Sequence, residues 1–507
     1  MDRMILIFPP VSKPCEPPAS VAQLSGALKA CGTAHEVVDA NLEGLLWLLR
    51  SDSKTKTDSS WTKRALSNLE ANLESLKSPE LFHNPDRYRQ KIFDLNRVFS
   101  ARVGSDRFRV TLSGYTDADL SAVRSEDLLS AARNFRENPF YGYFETGLRP
   151  RIEQSKPEWI GISLCYMTQA LSAFALAGWI KANFPGKKIV MGGGLVTSWL
   201  RMPDFDHPFG EIADRMVAGQ GEVSLLEIAG SEGTGSKRYT PDYGFADFGS
   251  YMAPARVLPY SASRGCYWRK CRFCPERAEK SVYRPVDPDT VIKDLESLRE
   301  SHRPDCIHFV DNAVSPAVMR RLAGTELPFQ WYGFARIGKE LDDPDYLSAL
   351  KRSGCTMLKL GLESGDQGVL DAMEKGTDLD VASRVLTRMK EAGIKAFVYL
   401  LFGTPAEDEA AAERTLAYTA RHADRIDFLN LAVFNLPRFS LDAEKYQVSE
   451  FSKGDLSLYY NFEHPAGWGR KEVRAFLDKR FKRHPSIAAI LRKNPPYFTS
   501  NHAPFFT

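Results

Sequence analysis

The feature that most constrains the fold is the regular alternation of short apolar runs with amphipathic segments over residues 257–436. Each apolar run is short and ends at a polar or glycine-containing turn, which is typical of strands, and the segments between them have helical periodicity. The predicted strands are 258–263, 306–310, 330–335, 357–362, 396–402 and 428–434, and the predicted helices are 288–301, 316–323, 343–352, 379–392 and 407–421. Strands that alternate with helices form parallel sheets, and six such units close most of a barrel while leaving one side open.

A second alternation precedes this one, with an interruption at about residues 42–150 that is polar and in places helical in periodicity. Its predicted strands are 4–8, 35–39, 159–164, 188–191 and 215–218, and its predicted helices are 21–31 and 168–184. We therefore predict an α/β fold with four parts. They are a doubly wound, Rossmann-type parallel sheet at 1–230 with a helical insertion, a linker at 231–256, a partial (β/α)6 barrel at 257–436, and an α-rich extension at 437–507.

Composition excludes several classes of protein. Lys and Arg number 67 against 64 Asp and Glu, so a generally basic nucleic-acid-binding surface is not expected, and we interpret the basic stretch 470–493 as a solvated helix face. No run of apolar residues is long enough to cross a bilayer, and the eight cysteines lack the spacing of a secreted disulfide framework. We expect a soluble, cytoplasmic protein that contacts neither membrane nor nucleic acid.

Three cysteines, Cys266, Cys271 and Cys274, are crowded onto the loop that follows the first barrel strand. Three thiolates on one loop can converge on one metal centre, whereas a structural zinc site needs a fourth ligand that the distant remaining cysteines do not supply. Three ligands leave one iron of a four-iron cluster open to another molecule. The alternative is that these are unconnected core cysteines.

This loop resembles that of the radical SAM superfamily, in which three cysteines follow the first barrel strand and an aromatic residue, here Phe273, precedes the third. Four residues, 267–270, separate the first two cysteines, one more than in the usual family spacing. The resemblance implies that the three cysteines hold a 4Fe-4S cluster and that the open iron binds S-adenosylmethionine (SAM).

The resemblance also implies a set of SAM contacts at the ends of successive barrel strands. Asp311 and Asn312 stand where the family binds the methionine amino group, Arg336 where a guanidinium holds the carboxylate, and Glu363 where a carboxylate contacts the ribose. Gly403 and Pro405, followed by Glu407, match the turn that lies against the adenine. Arg336 or Glu363 alone is more commonly a surface ion-pair partner, but their joint placement at successive strand ends, where barrel enzymes place their sites, favours a role in the site.

The order of segments in the first domain resembles the cobalamin-binding domain of cobalamin-dependent radical SAM enzymes. The residues that carry this implied cobalamin site are Pro9, Gly192, Gly193, Gly194, Thr197, Gly219, Gly221 and Glu222. The Asp-x-His-x-x-Gly motif that supplies a lower cobalt ligand in other cobalamin proteins is absent. An alternative is that the domain keeps the fold and binds nothing.

The resemblance implies a reaction started by reductive SAM cleavage, with an electron donor such as a flavodoxin or ferredoxin, and methylation of an unactivated carbon when cobalamin is bound. Three alternatives stay open. They are a non-methylating rearrangement or oxidation of a small molecule or peptide, an RNA methylthiotransferase-like activity with a second cluster on Cys15, Cys31 and Cys165, and a scaffold without activity. The aromatic C-terminal stretch, residues 495–506, is expected either as a lid over the open side of the barrel or as a tail docked on the core.

Overall fold

The computed structural model describes residues 4–52, 59–230, 238–496 and 498–506, with only the backbone of residues 499 and 500. The chain divides into two compact units. The first comprises Met1–Pro254, Ser452–Leu458 and Pro496–Phe498, and the second comprises Ala255–Phe451, Tyr459–Pro495 and Thr499–Thr507. None of the helices in the described part of the chain is both long enough and apolar enough to cross a membrane.

A five-stranded parallel sheet forms the centre of the first unit, as predicted. Its strands are β1 (Met4–Ile7), β2 (His35–Val38), β5 (Trp159–Ser163), β6 (Lys188–Gly192) and β7 (Arg215–Met216), in the spatial order β2-β1-β5-β6-β7. This is the order of a flavodoxin-like doubly wound sheet, in which the strand order reverses between β1 and the next sheet strand along the chain. Ligands of such sheets bind beyond the carboxyl ends of the strands at that reversal.

The helices of the first unit include a long insertion between the second and third strands of this sheet. They are α1 (Ala19–Ala30), α2 (Ala40–Arg50), α3 (Ser60–Ser67), α4 (Leu69–Ser75), α5 (Pro79–Phe82), α6 (Pro85–Val103), α7 (Ser125–Arg133), α8 (Tyr141–Tyr143), α9 (Arg149–Ser155), α10 (Ala170–Asn183), α11 (Gly194–Leu200) and α12 (Gly221–Ile228). The insertion also contains an antiparallel hairpin, β3 (Phe108–Thr111) with β4 (Gly114–Asp117), whereas the sequence predicted only helices there. These two strands are short and weakly apolar, so their alternation gives little signal in the sequence.

Residues 238–254, which the sequence led us to expect as part of a linker, pack within the first unit. Tyr239, Tyr243 and Tyr251 are buried, and the Tyr251 hydroxyl donates a hydrogen bond to the buried carboxylate of Asp39 at 2.8 Å. Asp242 accepts hydrogen bonds from Ser25 and Lys29. The segment is therefore attached to the first unit through these buried tyrosines, since large aromatic side chains are stabilised by burial.

A six-stranded, entirely parallel sheet forms the second unit, with its strands in the order of the chain. They are β8 (Val257–Tyr260), β11 (Cys306–Phe309), β12 (Gln330–Ala335), β13 (Cys355–Glu363), β14 (Lys395–Phe402) and β15 (Phe428–Val433). The first and last of these are the two edge strands, so the six units form an open, partial barrel, as predicted. A short antiparallel pair, β9 (Ser263–Arg264) with β10 (Arg284–Pro285), flanks the cysteine loop.

The helices of this sheet begin where the sequence places capping residues. They are α13 (Pro275–Ala278), α14 (Pro288–His302), α15 (Pro316–Ala323), α16 (Pro344–Arg352), α17 (Gln367–Ala372), α18 (Leu379–Glu391) and α19 (Glu409–Arg421). The side chains of Asp287, Ser315 and Asp343 each accept a backbone hydrogen bond at a helix start, followed by proline at the first helical position.

The C-terminal extension is less helical than predicted. It contains a three-stranded antiparallel sheet of β16 (Leu436–Pro437), β17 (Val448–Glu450) and β18 (Tyr459–Phe462), then α20 (Arg470–Phe476), α21 (Pro485–Leu491) and α22 (Thr499–His502). The strands are two to four residues long, too short for a period-two pattern to predict.

Candidate functional site

The cysteine loop leaves the barrel sheet directly after β8 and β9 and ends at the start of α13. Gly265, just before Cys266, has φ +71°, and a Cβ at this position would lie 3.0 Å from the carbonyl oxygen of Val282. Only glycine adopts this backbone without strain at such close range, so the turn that starts the loop is fixed by its sequence.

The three thiols lie close enough to affect one another electrostatically. Burial raises the pKa of Cys271 and that of Cys274, the latter to about 11, and Cys266 raises the pKa of Cys271 further while Cys271 raises that of Cys274. Lys375 and Arg336 oppose the shift at Cys271. A buried thiol with two cations beside it is suited to hold a thiolate once a metal binds, because the cations stabilise the negative charge that burial penalises.

Within the described residues no group of three or more His, Cys, Asp or Glu side chains is arranged to hold a single metal ion. Such an arrangement suits a zinc ion, whose ligands all surround one atom. The cysteines of a four-iron cluster each bind a different iron and so lie farther apart. Three thiols on one loop are the number of protein ligands that a four-iron cluster with one open iron requires.

One short segment of the barrel, Met373–Gly376, carries much of the cysteine loop; we call it the docking segment. The backbone amide of Arg272 donates to the carbonyl of Met373 at 3.0 Å, and the indole Nε1 of Trp268 donates to the carbonyl of Glu374 at 3.1 Å. Phe273 packs against the small apolar cluster that contains Met373. The loop is therefore held in place by contacts that need no metal.

Arg336 follows β12 and reaches both the cysteine loop and the docking segment. Its Nη1 lies 3.9 Å from Sγ of Cys271, its Nη2 donates to the carbonyl of Lys375, and its guanidinium carbon lies 4.0 Å from the centre of the Trp268 ring. The guanidinium has five N–H groups, so donors remain for a further ligand beside the cysteine loop.

Glu363 ends β13 in a strained conformation and is paired with a buried lysine. Its φ is +69°, next to an irregularity in the pairing of β13 with β14, and its Oε1 accepts from Lys375 Nζ at 2.8 Å. The Lys375 and Glu363 side chains are only 8% and 13% exposed. A Cβ on Gly361 would lie 2.5 Å from Glu363 Oε1 and 2.8 Å from Lys375 Nζ, so this glycine makes room for the pair.

Asp311 and Asn312, at the end of β11, contact the two ends of the cysteine loop. Asp311 is buried and accepts from the amide of Ala262 at 2.9 Å and from the hydroxyl of Ser263. Asn312 donates to Glu276 in α13 at 3.0 Å. Both side chains therefore support the loop in this structure, and their contact with the methionine amino group stays a prediction.

The turn after β14 contains Gly403, Pro405 and a buried carboxyl group. Gly403 has φ +78°, and its amide donates to Glu407, which also accepts from the indole of Trp468 at 3.0 Å. Burial raises the pKa of Glu407 to about 7, with the two hydrogen bonds opposing the shift. A cavity adjoins this turn, lined by Gly403, Val433, Phe434, Tyr460, Asn461, Phe462, Gly469 and Arg470. Three aromatic side chains, those of Phe434, Tyr460 and Phe462, therefore lie beside this glycine turn.

In the first unit, the glycine turn after β6 lies against the end of β5. Gly193 has φ +110°, and a Cβ there would lie 2.4 Å from the carbonyl oxygen of Leu164. The Thr197 hydroxyl donates to the Gly193 carbonyl at 2.8 Å and accepts from the Gly219 amide at 2.9 Å. Gly193, Thr197 and Gly219 are thus brought together at the carboxyl edge of the sheet, while Gly192 and Gly194 flank the turn and Gly221 and Glu222 begin α12.

Pro9 lies at the same edge, where the strand order reverses. Its carbonyl accepts from Nε2 of Gln169 at 2.6 Å, and Oε1 of Gln169 accepts from the amides of Cys165 and Tyr166. Gln169 is fully buried and links the loops after β1 and β5, whereas the Tyr166 side chain is exposed. Gly194 and Gly219 are exposed at this edge, and glycines allow a flat macrocycle to approach the backbone closely.

Several of these residues were not anticipated from the sequence. They belong to the candidate sites through contacts with other segments of the chain, and none of them is part of a sequence motif. They are Lys375, Gln169 and the cavity residues Tyr460, Phe462 and Arg470. The only local signal was the pair Lys375-Gly376 after a helix, which reads as an ordinary helix end.

A family model described as the radical SAM superfamily matches residues 260–419. Among curated proteins, the chain is similar to the anaerobic magnesium-protoporphyrin IX monomethyl ester cyclase of Rubrivivax gelatinosus. The two are 26% identical over 277 residues, which cover 49% of this chain and 48% of that protein. It is also similar to the bacteriochlorophyllide d C-12(1)-methyltransferase of Chlorobaculum tepidum, with 26% identity over 256 residues covering 47% and 54%. The chain thus spans about half the length of these relatives.

Two solved structures share the fold of most of the chain. One is the cobalamin-dependent S-adenosylmethionine radical enzyme OxsB with aqua-cobalamin bound, with TM-score 0.53 and 14% identity, covering 84% of this chain and 53% of that chain. The other is the radical S-adenosylmethionine methyltransferase TsrM from Kitasatospora setae with cobalamin and a [4Fe-4S] cluster bound. It has TM-score 0.53 and 15% identity, covering 89% of this chain and 81% of that chain.

Proposed function

We propose that this chain, a radical SAM enzyme whose family domain covers residues 260–419, cleaves SAM reductively at a 4Fe-4S cluster and uses cobalamin to methylate an unactivated carbon. The observation that carries the first part is the loop of Cys266, Cys271 and Cys274, held on the docking segment beside Arg336 and Lys375. The second part rests on the open, glycine-lined edge of a flavodoxin-like sheet, together with its likeness in fold to cobalamin-containing enzymes.

Cys266, Cys271 and Cys274 would hold the cluster, which when bound supplies the electron for breaking the SAM sulfonium bond and thereby starts radical chemistry. Arg336 would bind the SAM carboxylate through the N–H groups that its contacts with Cys271 and Lys375 leave over. Glu363 would accept from the ribose hydroxyls with its second carboxylate oxygen, since Oε1 is taken by Lys375. The turn at Gly403 and Pro405 would lie against the adenine.

These residues would act by positioning and by excluding water rather than by transferring protons. The barrel keeps Glu363 and Lys375 almost fully buried, so a ligand bound beside them is shielded from solvent. Fixing the reacting atoms in a shielded site lowers the entropy cost of the reaction and prevents quenching by water. The electron would come from a flavodoxin or ferredoxin.

Anaerobic reconstitution with iron and sulfide tests the first part. We expect about four irons per chain, visible charge-transfer absorbance and SAM cleavage on reduction, all lost when the three loop cysteines are replaced by alanine. A matched control replaces Cys306 and Cys355, which are buried in the barrel strands, by alanine. Unchanged SAM cleavage in the loop variant contradicts the proposal.

Cobalt content and methyl transfer test the second part. We expect one cobalamin per chain after reconstitution and transfer of label from methyl-labelled SAM to the substrate. The competing function is a radical oxidation or cyclisation without methyl transfer, which is favoured by the similarity to a curated cyclase. SAM cleavage without cobalt and without transferred label would select that competitor.

A third possibility is a second cluster on Cys15, Cys31 and Cys165, as in RNA methylthiotransferase-like enzymes. Cys31 follows α1 and its Sγ lies 3.8 Å from the Tyr239 hydroxyl, whereas Cys165 Sγ lies 3.5 Å from the Ser163 hydroxyl. An iron content near eight per chain, instead of four, would support that possibility.

A further inference from the structure

We propose that Trp268 is a positioning residue that docks the cysteine loop on the Met373–Gly376 segment and holds the Arg336 guanidinium beside Cys271. One indole ring then sets both a cluster ligand and the group that binds the SAM carboxylate. This inference rests on the proposed function and deepens it.

The fit of the Trp268 ring on the docking segment carries the first step. A Cβ on Gly376 would lie 2.2 Å from the ring, and the φ of Gly376 is +67°. The ring therefore occupies the space that any other residue at 376 would fill. The indole Nε1 donates to the carbonyl of Glu374 at 3.1 Å, which fixes the direction of the ring as well as its place.

The contact of the same ring with Arg336 carries the second step. The guanidinium carbon lies 4.0 Å from the ring centre, a distance typical of a stacked cation–π pair, while Nη2 donates to the carbonyl of Lys375. Arg336 thus lies between the indole and the docking segment, with Nη1 3.9 Å from Sγ of Cys271. A long side chain loses rotamer freedom when it binds a ligand, and this stacking removes that cost in advance.

The extra residue in the loop gives Trp268 its place. Four residues separate Cys266 from Cys271, and Arg269, directly after Trp268, has φ +54°. A left-handed residue reverses the chain locally, so the loop turns back after presenting the indole to the docking segment. The longer spacing between Cys266 and Cys271 and the aromatic residue at position 268 therefore act together to dock the loop.

A cation held beside a cluster ligand has a measurable electrical effect. Reduction adds one negative charge to the cluster, so hydrogen bonding and positive charge near a ligand sulfur favour the reduced state. Loss of the stacking should let Arg336 move away from Cys271. We therefore expect both a more negative midpoint potential of the cluster and weaker SAM binding.

The test compares W268A, W268F, G376A and K270A. Lys270 lies in the same loop, is exposed, and has its Nζ 4.9 Å from the Trp268 ring, so K270A is the control for losing a cation near the indole. Hydrogen exchange of the loop amides is measured in the iron-free protein, and SAM affinity and midpoint potential in the reconstituted protein. Circular dichroism identifies any variant that does not fold.

We expect faster hydrogen exchange of the Arg272 amide in W268A, together with a more negative midpoint potential. We also expect W268A to bind SAM about tenfold more weakly, which is the effect of loosening one charge-assisted hydrogen bond. G376A should reproduce these changes in a chain that keeps its tryptophan, W268F should retain part of the SAM affinity, and K270A should match the wild type.

Two results overturn the inference. One is unchanged exchange of the loop in both W268A and G376A. The other is faster exchange with SAM affinity and midpoint potential equal to those of K270A, which would make Trp268 only a loop anchor. Failure of the proposed function is recognised separately, because the wild-type protein would then take up no cluster.

Discussion

At the scale of single residues, the site contains ionisable side chains that are buried. Burial disfavours their charged forms, and neighbouring groups offset part of that free-energy cost. Glu363 and Lys375 form an ion pair that is almost fully removed from water, over a glycine that leaves room for it. Glu407 is a carboxyl group with 1% exposure whose Oε1 has no hydrogen-bond partner among the described residues. The effect of a single substitution at Lys375 or Glu407 on the stability of the protein can therefore be estimated.

Removing Lys375 should destabilise the protein more than removing the whole ion pair. K375M leaves the Glu363 carboxylate buried without its cation, which costs about 3 kcal/mol, whereas K375M/E363Q leaves no charge to be stabilised. The measurement is the thermal unfolding of the iron-free protein. A double variant that is no more stable than K375M would show that the pair does not stabilise the fold through charge.

The stability of the protein should fall between about pH 4.5 and pH 7 by an amount that depends on Glu407. Its folded pKa is raised from the ordinary value of 4.5 to about 7 because of burial. The folded state therefore holds the proton more tightly, and the stabilisation present at low pH is lost as pH rises through the folded value. The full effect is about 3 kcal/mol.

The variant E407Q should lack this component of the pH dependence, because glutamine stays neutral and its amide oxygen can accept from Gly403 and Trp468. We expect the unfolding temperature of the wild type to fall more than that of E407Q between pH 5 and pH 8. E409Q, at an exposed position of α19, is the control. Parallel pH profiles for wild type and E407Q would contradict the assigned pKa.

At the scale of secondary-structure elements, much of the fold follows from local signals. The expected helix 316–323 and strand 330–335 are found as Pro316–Ala323 and Gln330–Ala335, because Ser315 caps the helix and an apolar run defines the strand. The hairpin at Phe108–Asp117 and the strands after Leu436 were missed because their residues alternate weakly. The pairing of Lys375 with Glu363 and the docking of Trp268 on Gly376 are tertiary contacts, which no local pattern encodes.

The glycine turn after β6 requires glycine both for its backbone conformation and for the space beside it. Gly193 and Gly32 both have positive φ, at +110° and +68°, but a Cβ on Gly193 would meet the Leu164 backbone while a Cβ on Gly32 meets nothing within 4 Å. G32A should cost about 1–2 kcal/mol, the penalty of a left-handed backbone alone.

We expect G193A to lower the unfolding temperature of the protein clearly more than G32A does, and to reduce cobalamin uptake if the edge is the cobalamin site. There are two physical reasons: Gly193, at φ +110° and ψ 178°, has a backbone conformation that essentially only glycine adopts, and strand β5 and the turn must move apart to admit a methyl group. Equal effects of the two substitutions would show that close approach of the two backbones is not what Gly193 provides.

At the scale of the whole molecule, the chain's last residues complete the second unit. Val257, Cys306, Tyr332, Met357, Phe397 and Phe428, from six successive strands, form one apolar cluster with Ala503, and Phe505 and Phe506 pack against it. Neighbouring members are either register partners, as Cys306 is with Val257 and Phe397 with Phe428, or two residues out of register, so they share one face of the sheet. An open barrel leaves such a face uncovered, and this segment covers it.

Chain termination after Phe498 should therefore destabilise the second unit, as expected for a docked tail. The truncation exposes the stripe of large side chains and removes the hydrogen bond from the Tyr332 hydroxyl to the carbonyl of Asn501, while Pro496 and Phe498, which belong to the first unit, are kept. We expect aggregation or a lower unfolding temperature in the iron-free protein, measured by scanning calorimetry and light scattering. A full-length A503E variant should act in the same direction, because it places a charge among apolar side chains. A lid predicts the opposite result: a soluble protein with unchanged unfolding temperature that still cleaves SAM but does so without converting substrate.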